Sequence, residues 1–242
     1  MRRTAVINVV GLTEGLLGAH SPRLNAFLKQ GRLAHIEPVI PAVTCSTQST
    51  YLTGTMPSQH GIVGNGWYNR EQAEVQFWKQ SNHLVHGRKV WEELRALAPG
   101  FTCAKLFWWY NMYSTADWSI TPRPAYPADG RKVFDIYTQP MGMREEIKRD
   151  LGEFPFATFW GPAAGKKSPQ GGPDAASRWI AESAKWVEKK HQPTLNLIYL
   201  PHLDYNLQRL GPAHPAIADD LRALDAIVGD LIDFFQDRKS VV

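Results

Sequence analysis

The sequence is poor in cysteine: it has only Cys45 and Cys103, and no CxxC pair. This argues against a disulfide framework and favours a reducing compartment, so we expect a cytoplasmic protein. The sequence also lacks an apolar run of about eighteen residues, so it predicts no membrane-spanning helix. The apolar stretch after Arg3 alternates like a strand and is interrupted by Asn8, which distinguishes it from a signal peptide.

Dense positive charge is also missing. The net charge is +4, but lysines and arginines are scattered along the chain. A stripe that would bind nucleic acid is therefore not expected, whereas a small anionic substrate is compatible with this charge. The 242 residues, of which 43% are hydrophobic, are enough for a sizeable core and are typical of a globular protein. The oligomeric state is left open.

Strand-like and helix-like patterns alternate along the chain. Apolar runs predict buried strands at 4–10, 101–110 and 193–201. Apolar residues spaced by three or four predict helices at about 22–30, 45–53, 88–97, 141–151, 174–190 and 215–235. We therefore expect one α/β domain over residues 1–242, with three α/β/α layers and a mostly parallel central sheet.

Other segments are less regular. Residues 154–161 predict a short strand, and a further strand begins at 240–242. The segment 119–140 is rich in proline and turn residues, which predicts a surface excursion at about 111–140. Four consecutive aromatics at 107–110 predict either a core wall or a base-stacking platform.

Hydroxyl groups are crowded into the stretch TCSTQSTYLT at 44–53. A hydroxyl at a helix start either caps the helix or serves as a nucleophile among free backbone N–H groups. Cys45 has the same two interpretations, a buried apolar residue or an activated thiolate. Both alternatives stay open at this point.

Two later motifs carry polar groups at turns. HGIVGN at 60–65 ends in Asn65, whose amide can donate to an anion, although an ordinary glycine turn would look the same. In YLPHLDYNLQRLGP at 199–212, Asp204 follows a predicted buried strand. Its carboxylate is either a metal ligand or a solvated loop acid.

The order of these motifs resembles the type I phosphodiesterase/nucleotide pyrophosphatase family of the alkaline phosphatase superfamily. The similarity lies in the hydroxyl-rich stretch from Thr44 to Thr53-Gly54, in the turn from Pro57 to Asn65, and in the Asp204 motif with the helix after it. It covers residues 4–70 and 193–242, which correspond to the N-terminal part of the family core, while the middle has no alignable motif.

The resemblance implies an alkaline-phosphatase-like fold and hydrolysis of a small phosphate ester with bound divalent metal, typically zinc. By resemblance Thr44 is the nucleophile and a metal ligand through its oxygen, and Asp204 is a metal ligand. Asn65 donates to a phosphate oxygen, with Trp67 and Tyr68 as neighbouring substrate-binding residues.

The sequence departs from the family at its metal ligands. Val10 stands where the family has an aspartate before glycine, and Gln208 stands where it has a histidine. Asn8 or Glu14 is a candidate substitute. The family's remaining ligands lie beyond the helix at 215–235, after the last residue of this sequence.

Three functions account for these observations. The first is a metal-dependent phosphoric ester hydrolase that uses Thr44. The second is a degenerate, non-catalytic relative that binds an anionic ligand or a partner protein, which accounts for the altered ligands. The third is acyl transfer at Cys45 with His60 as the base.

Overall fold

Seven strands appear in the computed structural model of the protein, which describes residues 2–242. They are β1 (Thr4–Val9), β2 (Gly66–Asn69), β3 (Glu74–Phe77), β4 (Cys103–Leu106), β5 (Trp118–Pro122), β6 (Ile136–Gln139) and β7 (Leu195–Leu200). Five of them form the central sheet in the order β1-β7-β4-β5-β6, parallel except for the antiparallel β5–β6 pair. The other two form an antiparallel hairpin.

Eight α-helices accompany the strands in the described residues: α1 (Pro22–Leu28), α2 (Thr44–Thr53), α3 (Pro57–His60), α4 (Val90–Leu97), α5 (Met143–Leu151), α6 (Ala175–His191), α7 (His202–Leu210) and α8 (Ile217–Asp237). Helix α6 packs on β4 and β7, and α8 packs on α1, α6 and α7. Helices thus flank a mostly parallel sheet, which confirms the predicted fold class. Between residues 2 and 242, no helix combines the length and apolarity that crossing a bilayer requires.

Strand β7 lies second in the sheet and is buried along its whole length. Its apolar run is the strongest strand pattern in the sequence because β1 and β4 cover its two edges and α6 packs against it. The predicted strand at 101–110 is shorter than expected. It ends at Leu106, because Phe107 and Tyr110 adopt positive φ angles of 62° and 56° and turn the chain.

The prediction of a surface excursion at about 111–140 is wrong in part. Residues 118–122 and 136–139 form β5 and β6 of the central sheet, and Ile120 is fully buried. The prolines end these strands or lie between them, and Pro122 closes β5 at its last position. The short strand expected at 154–161 is also absent, since residues 156–158 form a single 3-10 turn.

The C-terminal residues pair with the outer edge of β1. The Ala5 N–H donates to the Val241 carbonyl at 2.7 Å, and the Val241 N–H donates to the Arg3 carbonyl at 2.8 Å. The strand predicted at 240–242 is therefore a single parallel bridge, Thr4 to Val241.

A buried carboxylate fixes this edge. Glu188 of α6 is fully buried and accepts from the Arg3 guanidinium at 2.6 Å and from Arg238 at 3.2 Å. Its second oxygen accepts from Asn196 Nδ2 of β7 at 3.1 Å. Glu188 thus acts as a clamp that joins Arg3 and Arg238, near the two ends of the described chain, to α6 and β7. Both of its carboxylate oxygens have a hydrogen-bond partner, as a buried ion requires.

Lys105 of β4 is also fully buried. Its ammonium group donates to the carbonyls of Trp109 at 2.8 Å and Tyr110 at 2.9 Å and lies 5.6 Å from the Trp91 ring centroid. Burial without a carboxylate partner lowers the pKa of Lys105 to about 7. The lysine holds the turn that follows β4 against the sheet.

Replacing Glu188 tests the clamp. We expect Glu188→Gln to lower the free energy of unfolding by about 2 kcal/mol, because two arginines lose a buried partner while staying partly solvated. Glu182→Gln, on the exposed side of the same helix, should change it by less than about 0.5 kcal/mol. Urea unfolding measures both variants, and equal effects would contradict the clamp.

The lowered pKa of Lys105 predicts a pH-dependent stability. Between pH 7 and 8 the unfolded chain binds more protons at this site than the folded chain, so the free energy of unfolding should rise by about 1 kcal/mol. Lys105→Met should remove this rise, and Lys189→Met should keep it. Urea unfolding at pH 7.0, 7.5 and 8.0 gives the slope, and an unchanged slope in Lys105→Met would refute the assignment.

Candidate functional site

The hydroxyl groups of α2 have different roles. Val43 is the N-cap and Thr44 the first helical residue, and the N-cap side chain makes no capping hydrogen bond. The Ser46 hydroxyl donates to the Pro41 carbonyl at 2.6 Å, and the Thr53 hydroxyl donates to the Ser49 carbonyl at 2.8 Å. Capping therefore does not explain Thr44, which stands at the positive end of the helix dipole.

Tyr199 of β7 lies beneath Thr44. Its side chain is fully buried, its hydroxyl accepts from Trp160 Nε1 at 3.3 Å, and the Thr44 side chain lies close enough to influence its pKa. Burial raises the pKa of Tyr199, so the residue is a neutral phenol at ordinary pH. The sequence analysis missed this residue, and the only signal was its phenol hydroxyl inside the mostly apolar run LNLIYL.

Asn65 is held against the first turn of α2. Its side-chain carbonyl accepts the Cys45 N–H at 3.0 Å, which leaves its NH₂ group as a donor. The next residue has to be glycine, because a Cβ on Gly66 would lie 2.1 Å from the Phe77 ring on the paired strand. The structure thus brings Thr44 and Asn65 together at one corner, as the motif order predicted.

Gln48, one turn further along α2, is 2% exposed and joins three elements. Its Nε2 donates to Asn8 Oδ1 at the end of β1 at 2.9 Å. Its Oε1 accepts the Trp109 N–H at 2.9 Å, from the turn that Lys105 holds. The nucleophile candidate is therefore fixed relative to two strand ends.

The geometry argues against Cys45 as an activated thiolate. Its side chain is fully buried, and burial raises the pKa of the thiol to about 12. The expected base, His60, makes its hydrogen bonds with Thr50 and the Ile62 N–H. Cys45 is instead a small core residue beside Tyr110 and Ile62.

Asp204 lies in the first turn of α7 and not in a loop as expected. Burial raises the pKa of its carboxyl group, and a hydrogen bond from Gln208 Nε2 at 2.6 Å acts in the opposite direction. A Cβ on Gly11 would lie 3.4 Å from Asp204 Oδ1, so the end of β1 approaches this carboxylate closely. A cavity of about 640 Å³ opens here, lined by Gly11, Thr13, Asp204, Leu207 and Gln208 among others.

The donor set does not fit a two-metal centre. Within residues 2–242, no three His, Cys, Asp or Glu side chains form a group that could hold a metal ion. The proposed substitutes are engaged elsewhere: Asn8 Oδ1 accepts from Gln48, and Glu14 pairs with His35 at 3.2 Å. Val10 packs its side chain against the core. Zinc sites need three or four ligands, and Asp204 and the Thr44 oxygen alone do not supply them.

The aromatic candidates separate into two groups. Phe107, Trp108 and Tyr110 are at most 2% exposed and form a core wall, which leaves no base-stacking platform there. Trp67 packs beside Cys45, whereas Tyr68 is 59% exposed. Adjacent strand residues face opposite ways, so the structure does not bring Trp67 and Tyr68 to one surface.

Known proteins match this chain in sequence family and in fold. The family model of type I phosphodiesterase / nucleotide pyrophosphatase matches residues 4–242. No curated protein sequence matches the chain.

Several solved structures share the fold. Murine ectonucleotide pyrophosphatase / phosphodiesterase 5 superposes with a TM-score of 0.61 at 14% identity, over 98% of this chain and 53% of its own. Phosphonoacetate hydrolase from Sinorhizobium meliloti 1021 gives 0.65 at 14% identity, over 96% and 54%. The alkaline phosphatase PafA gives 0.66 at 13% identity, over 98% and 59%.

The chain therefore spans little more than half the length of these structures. They confirm a fold of the alkaline phosphatase superfamily. Since the family model matches almost every residue, the chain belongs to the type I phosphodiesterase/nucleotide pyrophosphatase family.

Proposed function

We propose that the protein is a phosphoric ester hydrolase in which Thr44 is the nucleophile. The observation that carries this proposal is the corner of Thr44 and Asn65. A hydroxyl free of capping stands at a helix N-terminus, beside an amide whose carbonyl is occupied and whose NH₂ group can donate. Tetrahedral phosphate oxygens are pure acceptors, which is what such a corner binds.

In this mechanism Thr44 Oγ1 attacks phosphorus, the new oxygen–phosphorus bond forms, and the ester bond to the leaving group breaks, while the Thr44 hydroxyl proton passes to the departing oxygen so that an alcohol leaves. The Asn65 NH₂ group and the first-turn N–H groups of α2 donate to the phosphate oxygens as charge builds on them. Water then cleaves the threonine–phosphate bond and restores the hydroxyl. No step is assigned to a metal, because the described residues do not form its ligand set.

Tyr199 and Asp204 support this corner. As a buried neutral phenol beside the Thr44 side chain, Tyr199 restricts the space in which the Thr44 hydroxyl can rotate. Asp204 lines the cavity at the end of β1 and is kept in place by Gln208. Among the described residues of that lining it is the one acidic side chain, and burial raises its pKa.

The compared proteins support this substrate class. One structure of the murine enzyme is an inactive threonine-to-alanine variant in complex with AMP, a phosphate ester, and the bacterial hydrolase was solved with phosphonoacetate, which carries the related phosphonate group. We extend to this chain a small phosphate mono- or diester, a nucleotide included, as the substrate.

A second candidate function is phosphate-ester binding without turnover. It is favoured by the metal ligands that this sequence lacks, since Val10 and Gln208 replace two of them. In that case Asn65 and the α2 N-terminus retain the ligand, and Thr44 no longer attacks it.

Turnover by Thr44 separates the two functions. With bis(p-nitrophenyl) phosphate and added Zn²⁺, we expect Thr44→Ala to lose at least about 100-fold in kcat, because the attacking oxygen is gone. Cys45→Ala should retain activity within about threefold, because its thiol is buried and protonated. Elemental analysis of the purified protein reports bound metal. Metal-free protein without Thr44-dependent turnover would refute the hydrolase.

Binding tests the corner itself. We expect Asn65→Ala to weaken AMP binding by about tenfold or more, because one donor to a charged oxygen is lost. Asn69→Ala, in the same hairpin with its side chain bonded to the Gln72 N–H, should bind as the wild type does. Isothermal titration calorimetry measures both. Binding by the wild type without turnover would select the second candidate, and equal affinities of the two variants would exclude the corner.

A further inference from the structure

His60, the last residue of α3, is fully buried and uses both ring nitrogens. Its Nδ1 accepts the Ile62 N–H at 3.1 Å, and its Nε2 lies 2.9 Å from Thr50 Oγ1. Because Nδ1 is an acceptor, the proton is on Nε2 and the ring donates to Thr50. Burial lowers the pKa of His60, which is consistent with this neutral form.

The segment that follows His60 leads directly to Asn65. Gly61 has a φ of 82°, and a Cβ there would meet the His86 ring at 3.3 Å. The His86 N–H donates to the His60 carbonyl at 3.0 Å, and Ile62 is 1% exposed. The His86 ring, the hydrogen bond to the His60 carbonyl and the buried Ile62 side chain therefore fix the start of the turn at residues 60–65.

Thr50 and Cys45 belong to the same helix, α2. The turn thus meets that helix twice: Asn65 accepts the Cys45 N–H in the first turn, and His60 donates to Thr50 in the second. One hydrogen bond would let the turn pivot about the helix, whereas two bonds about one and a half helical turns apart define its orientation.

We propose that His60 is a positioning residue, which through Thr50 holds the Asn65 amide at the phosphate-binding corner. The inference rests on the proposed function for the identity of the ligand, a phosphate group, and on the two contacts for the geometry. His60 itself touches neither the ligand nor Thr44 in this assignment.

Two substitutions at Thr50 isolate the contact. Thr50→Val removes the oxygen that His60 donates to and keeps the side-chain shape, while Thr50→Ser restores that oxygen. Thr53→Val is the matched control, because it removes a hydroxyl from the same helix that bonds to Ser49 and Thr55 and not to the turn. Thermal unfolding checks that each variant is folded.

Nuclear magnetic resonance provides two readouts that do not require activity. The first is hydrogen exchange of the Cys45 amide, which Asn65 protects. The second is the shift of the Asn65 side-chain NH₂ resonance as inorganic phosphate is added. We expect Thr50→Val to lose about tenfold in Cys45 protection and about tenfold in phosphate affinity, as for one lost hydrogen bond. Thr50→Ser and Thr53→Val should match the wild type.

Each result decides the proposal. Thr50→Val and Thr53→Val with equal Cys45 exchange would overturn it, as would loss in Thr50→Val without rescue by Thr50→Ser. If added phosphate does not shift the Asn65 NH₂ resonance of the wild type, the phosphate site is refuted. The exchange comparison would still decide whether His60 orients Asn65, so the two failures are distinguishable.

Discussion

The geometry of the corner depends on one buried amide, that of Gln48. It supplies directed hydrogen bonds from α2 to β1 and to the turn after β4. The donor and acceptor of Gln48 both find partners, on Asn8 and on the Trp109 N–H. Because an unpaired buried polar group is costly, the helix has one orientation in which all three elements are satisfied. Thr44 stands one turn before Gln48 and takes its position from this arrangement.

Much of the fold could be predicted because its signals are local. The run at 193–201 and the periodic residues at 215–235 have patterns that neighbours cannot easily override, and α8 begins and ends within two residues of its predicted bounds. Strands β5 and β6 were missed because each is only four or five residues long and lies near prolines. Strand β5 is placed by pairing with β4 and β6 by pairing with β5, which a local pattern does not record.

The same distinction applies to the site. Thr44, Asn65 and Asp204 could be predicted as site residues because their motifs occur in one order along the chain. Tyr199 and Gln48 were missed because their roles arise from contacts across the sheet: Tyr199 lies under a residue 155 positions earlier in the sequence. The sequence alone shows that Val10 and Gln208 replace the family's metal ligands. Only the structure shows that Gln208 donates a hydrogen bond to Asp204. Gln208 therefore does more than leave out a metal ligand, because its amide occupies an oxygen of the Asp204 carboxylate.

The pairing partners of β1 are synthesised long after β1 itself. Strand β1 pairs on one edge with β7 and on the other with Val241, so both partners are synthesised roughly 190 or more residues after it. At ordinary elongation rates β1 waits roughly 10–40 s on the ribosome with its apolar side chains and backbone groups unpaired. Such non-local pairing slows folding and favours aggregation. We expect this chain to depend on chaperones during synthesis more than a helical protein of equal length does.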